Sequence, residues 1–125
     1  MTKINSYKEL IAWQKAMDLV LEIYGITQTF PQHEKFGLVS QMNRAVVSVP
    51  TNIAEGWGRS SRPNYLQFLR ISRGSLMELE TLLIIASKLS YIENIIFERI
   101  SNLIDNTGRI LQGLIKSLQE KEINK

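Results

Sequence analysis

The sequence predicts an all-α protein: one domain over 1–125, folded as an antiparallel four-helix bundle in up-down-up-down order, with the second helix kinked at Pro50. Three observations predict it. Apolar residues recur at spacings of 3 and 4 along four long segments, the pattern of helices that bury one face. Only a few residues separate the segments, about 7–29, 34–57, 63–90 and 94–121, and short connections make consecutive helices antiparallel neighbours. Hydrophobic residues are 44 % of the 125, enough to build a core and too many for a disordered chain.

The first helix opens with Ser6 and Glu9 at capping-box spacing. Leu10, Trp13, Met17, Val20 or Leu21, and Tyr24 form one apolar stripe. Ala12, Ala16, Leu19, Ile23 and Ile26 form a second beside it, so the apolar face is wider than one small core requires. Phe30-Pro31 ends the segment, because a residue before proline avoids the helical region.

The second helix carries the line Phe36, Val39, Met42 or Asn43, Val46, Pro50, Ile53 and Trp57. Its β-branched residues suit a strand, but the spacing and length favour a helix. Pro50 is then internal, removes the bond to the Val46 carbonyl and is expected to kink the helix, with Asn52 near enough to help freed backbone groups. Gly56 and Gly58 stop it. The third helix opens at Arg62-Pro63-Asn64, where proline suits the first turn. Its core line is Leu66, Leu69, Leu76, Leu79, Leu83, Ala86 and Leu89, and Arg70, Arg73, Met77 and Glu80 share a neighbouring face. The fourth carries Ile96, Ile100, Leu103, Thr107, Ile110, Leu114 and Leu118, with Gly108 and Gly113 as weak points or places of close approach. The tail KEINK is expected to fray.

Composition narrows the chemistry. The chain has no cysteine, which removes disulfides, thiolate catalysis and thiolate metal sites. The N-terminus MTKINSYKEL lacks the apolar core of a signal peptide, and the run Leu82–Ala86 is far shorter than the roughly 20 residues that span a bilayer. A cytoplasmic protein without membrane contact is the expectation. The lone histidine, His33, follows Pro31 in a loop, so neither a Glu-x-x-His metal pair nor a serine triad can be assembled; no metal, cofactor or catalytic residue is expected. Gly56-Trp57-Gly58 lacks the lysine, the spacing and the preceding strand of a phosphate-binding loop.

The net charge of +3 is unevenly spread. Residues 41–75 hold Arg44, Arg59, Arg62, Arg70 and Arg73 against Glu55 alone, while 76–100 are net acidic. Arginine presents a planar fork suited to phosphate. Arg59, Ser60, Ser61 and Arg62 also precede the third helix, whose free N–H groups favour anions. Trp57 and Tyr65 stand beside this loop as possible stacking surfaces, or as ordinary covers for a helix end. The competing reading ties the arginines to glutamates of the same bundle, Arg44 to Glu80 among them.

The stretches YKELIAWQKAMDLVLEIY, FGLVSQMNRAVVSVPTNIAEGWGR and FLRISRGSLMELETLL, in that order, closely resemble the bacterial four-helix-bundle proteins encoded by intervening sequences of 23S ribosomal RNA genes. The resemblance covers about residues 6–118, and SxPxNIAEGxGR is its most diagnostic block. It implies a homopentamer with a central channel. A more distant similarity, to the accessory protein of diversity-generating retroelements, implies contact with nucleic acid and with a protein partner. By the same resemblance, Pro50, Asn52, Glu55 and Gly56 shape the second helix and its packing, and Glu78 and Glu80 occupy the motif's acidic positions, paired with Arg44 or Arg73. Five copies in a ring multiply weak phosphate contacts. The expectation is a non-enzymatic oligomer that binds RNA or another nucleic acid through Arg44, Arg59, Arg62, Arg70 and Arg73. The alternative is a protein-protein scaffold with no nucleic-acid contact.

Overall fold

In a computed structural model the chain is described over residues 3–123, the last two by backbone alone. Four α-helices are present, α1 Ile11–Thr27, α2 Leu38–Trp57, α3 Arg62–Lys88 and α4 Asn94–Ile123, and no strand occurs among the described residues. Each helix packs against the next in the chain, and α1 closes on α4. Across α2 and α3, Gly56 meets Tyr65 and Phe68, Val49 meets Ser72 and Ser48 meets Ser75, an antiparallel register.

The first helix starts later than the periodicity predicts. The Ser6–Glu9 capping box forms, but it closes a 3-10 turn over Tyr7–Glu9. Leu10 is extended, and the Gln14 side chain donates to the Lys8 carbonyl (2.9 Å) that a continuous helix would use. The second helix also starts late. A 3-10 turn at Gln32–Glu34 precedes it, and the Glu34 carboxylate accepts the Leu38 N–H at 3.2 Å, serving as its cap. Phe36, placed on the apolar line by spacing, lies before the helix and is 89 % exposed.

The core takes the second stripe of α1: Ala12, Ala16, Leu19, Ile23 and Ile26 are buried, whereas Met17, Leu21 and Tyr24 are exposed. In α2, Met42 is buried and Asn43 is half-buried, accepting from Thr27 at 3.1 Å. In α4 the buried line is Ile100, Ile104, Thr107, Leu111 and Ile115; Leu103, Ile110 and Leu114 flank it half-buried. Each fully buried Leu or Ile contributes about 1.5–3 kcal/mol.

α2 runs unbroken through Pro50. Asn52 bonds the Ser48 carbonyl (2.8 Å) rather than that of Val46, Thr51 bonds Val47 (2.7 Å), and buried Ser72 donates from α3 to Val49 (2.8 Å). Three successive carbonyls around the proline thus gain side-chain donors. α3 ends in a Schellman motif: Tyr91 N–H bonds the Ala86 carbonyl and Ser90 N–H that of Ser87, with Ser90 at φ 64°. Leu89, placed on the core line, falls after the helix and is 50 % exposed. α4 continues through Lys121 to Ile123 where a frayed tail was expected; Asn124 and Lys125 lie outside the described residues.

Candidate nucleic-acid interface

The corner between α2 and α3 is tightly built. A Cβ on Gly56 would lie 2.9 Å from Phe68 Cβ, 2.9 Å from Tyr65 Cδ1 and 3.1 Å from the Tyr65 carbonyl. Only a residue without a side chain lets the end of α2 lie this close to the start of α3. Gly56 therefore serves packing inside the helix, and neither it nor the C-cap Gly58 adopts positive φ as a helix-stopping glycine would. Trp57 meets Tyr65 edge to face at 6.3 Å. The Tyr65 hydroxyl is enclosed without a protein hydrogen-bond partner, and burial pushes its pKa up to about 12. Both rings are thus engaged in the corner.

The five arginines divide by environment. Arg59 is held twice: its guanidinium bonds the Glu55 carboxylate at 3.0 Å and lies 4.6 Å from the centre of the Phe68 ring. Both members of the ion pair are half-exposed, so the pair contributes at most about 1 kcal/mol. Arg44 is exposed on α2 and lines a polar groove with Gln41, Ser48, Ser75 and Glu78. Arg73 donates to Gln112 of α4 and lines the α3–α4 groove with Met77, Glu80, Asp105 and Arg109. Arg62, half-buried, opens α3 behind the Ser61 cap, and Arg70 is exposed.

The helix period explains the split. Arg62, Arg70 and Arg73 fall within about 80° of one another around α3, at 100° per residue. Residues 78 and 80 are two apart and point to opposite sides. Glu78 therefore shares a groove with Arg44, Glu80 shares one with Arg73, and the expected Arg44–Glu80 pair does not form. Among the described residues, the pairs within salt-bridge distance are His33–Glu34, Glu55–Arg59 and Glu22–Arg99. Arg44, Arg62, Arg70 and Arg73 have no carboxylate partner there.

Sequence reasoning did not single out Arg109. It lies beside Arg73 because Gly108 of α4 sits opposite Leu76, and the sequence signal for that register is the small residue at 108. It also did not name Glu22–Arg99, which ties α1 to α4 at 2.7 Å. A second feature is an apolar groove between α1 and α2, lined by Trp13, Met17, Val20, Val47, Pro50 and Ala54. No three His, Asp or Glu side chains gather among the described residues, and no described helix is long and apolar enough to cross a membrane.

The family model described as 23S rRNA-intervening sequence protein matches residues 8–113. No curated protein matches the chain. Among solved structures, a Bacteroides thetaiotaomicron protein of unknown function from the S23 ribosomal protein family superimposes with a TM-score of 0.79 at 22 % identity. The match covers 85 % of this chain and 99 % of that one. At that identity the likeness shows the fold alone.

Proposed function

We infer, for a chain that belongs to the family of 23S rRNA-intervening sequence proteins, that it is a non-enzymatic, homo-oligomeric bundle protein. It binds nucleic acid, RNA in the first instance, through Arg62, Arg70 and Arg73 on one side of α3. The observation that carries this reading is the contrast among the arginines. Arg59 is neutralised by Glu55 and covers Phe68, whereas the three α3 arginines share a sector and lack carboxylate partners among the described residues. Arg109 extends the same side, and Arg44 stands apart on the α2–α3 groove. Phosphates are the natural partners for arginine forks that the bundle leaves without a carboxylate. The protein works in the cytoplasm.

The apolar α1–α2 groove supports self-association, with a pentamer as the expected ring. A ring repeats the α3 arginines and raises the effective concentration of each weak site. A scaffold that docks another protein is the second reading, and the same groove favours it. The test is binding of labelled structured and single-stranded RNA at several salt concentrations, alongside the oligomeric state of the wild type and of Val47→Glu. Salt-sensitive binding by an oligomer that Val47→Glu dissociates supports the first reading. An intact oligomer that ignores both RNAs at low salt leaves the scaffold.

A further inference from the structure

The groove between α3 and α4 changes character along its length. Arg73 of α3 donates to Gln112 of α4, and a Cβ on Gly108 would lie 3.4 Å from Leu76 Cδ2, so the two helices pass in opposite directions. Further along α3, Glu80 lines the same groove, and Asp105 lines it from α4. The groove thus has a cationic end at Arg73, an apolar middle at Leu76 and Met77, and an acidic end at Glu80 and Asp105, with Arg109 also in its α4 wall. Its volume is about 310 Å³, at the small end of ligand clefts, which start at about 300 Å³. We propose that this groove seats one nucleotide of a single RNA strand and selects bases that carry an exocyclic amino group, with Glu80 and Asp105 as the selecting residues. The proposal rests on the nucleic-acid reading and deepens it.

Charges of both signs line the groove, yet among the described residues none of its cations lies within salt-bridge distance of a carboxylate. Arg73 and Glu80 are seven residues apart, a rise of about 10.5 Å along α3. One nucleotide bridges such a span from its phosphate to the amino group on its base. The middle suits a flat ring: Leu76 is buried, the Met77 thioether is 61 % exposed and packs readily against a ring, and Gly108 adds no side chain beside them. An amino group has two N–H donors, and an ionised carboxylate only accepts, so Glu80 and Asp105 take one hydrogen each. Cytosine and adenine present such an amino group, whereas uracil presents a carbonyl oxygen in its place, which two carboxylates repel. At the other end, Arg73 keeps donors beyond the one given to Gln112, and with Arg109 it meets phosphate.

The test is fluorescence anisotropy of the full chain with short labelled oligo(C) and oligo(U) RNAs of equal length. The two carry the same charge and ring size and differ at the amino group. Oligo(C) is expected to bind about 5–10-fold more tightly. Glu80→Gln/Asp105→Asn keeps side-chain size, and far-UV circular dichroism checks that it folds. An amide both donates and accepts, so the double variant is expected to bring the ratio of the two affinities close to one while salt-sensitive binding remains. Equal binding of both RNAs by the wild type, or a preference that survives in the double variant, would overturn the proposal and leave the arginine surface standing. Binding of neither RNA at low salt would overturn the nucleic-acid reading and this site with it.

Discussion

Arg59 lies over the face of Phe68, its guanidinium carbon 4.6 Å from the ring centre, while its nitrogen holds Glu55 at 3.0 Å. Arg59→Ala should therefore lower stability by about 1 kcal/mol, summing an exposed cation–π contact and a surface pair. RNA binding and its salt slope should stay near wild type. Urea unfolding and a binding isotherm check both halves.

Gly56→Ala places a Cβ against Phe68 and the Tyr65 backbone, where nothing yields cheaply. Overpacking of about 1–3 kcal/mol outweighs the gain of up to about 1 kcal/mol in helix propensity, so the variant should unfold at lower urea. Gly74→Ala in α3 is the control. Its Cβ meets nothing within 4 Å, and it should stabilise by up to about 1 kcal/mol.

Ser90→Gly should raise stability by about 1 kcal/mol, because Ser90 holds a φ of 64° at the position of the Schellman motif that favours glycine. The thermal midpoint measures it. A lower midpoint would mean that the serine side chain contributes more than its backbone costs.

Glu34 is held below its usual carboxylate range of 4.5, first by the Tyr91 hydroxyl, then by the Leu38 N–H and His33. A depressed carboxylate gives stability that is present above its unfolded value and lost as pH falls through the folded one. Tyr91 is raised above 10 by the same bond to Glu34, so that contribution is present below 10 and lost as pH rises through the higher folded value. Tyr91→Phe should thus be less stable than wild type near neutral pH, and the difference should shrink as pH falls through the depressed Glu34 value. Urea midpoints across pH 3–10 check this.

Much of this architecture is legible in the sequence because its signals are local. Spacings of 3 and 4 mark all four helices, Ser6 and Glu9 mark the cap that forms, and of the expected stripe Arg70, Arg73, Met77 and Glu80 the last three line one groove while Arg70 is not among its lining residues. Failures occur where a longer range decides. Phe36 fits the period of α2, yet Glu34 caps the helix from outside and leaves Phe36 before its start. The two apolar stripes of α1 look equivalent until α2 and α4 select the smaller residues at Ala12 and Ala16 for close packing. The pairing of Arg44 with Glu80 fails through helix register, because a two-residue step crosses α3. Arg109 joins Arg73 only through the α3–α4 register, which local spacing does not contain.

The measurement that bears most directly on the proposed function is the salt dependence of single-stranded RNA binding for wild type, Arg62→Ala/Arg70→Ala/Arg73→Ala and Arg44→Ala/Arg59→Ala. Each phosphate contact contributes about 0.7 to the slope of log K against log salt. If all three α3 arginines contact phosphate, the triple variant should lose about 2 from that slope per subunit engaged, with the bundle and oligomer intact. The double variant should keep the wild-type slope. An unchanged slope in the triple variant, or an equal loss in the double variant, would contradict the α3 site.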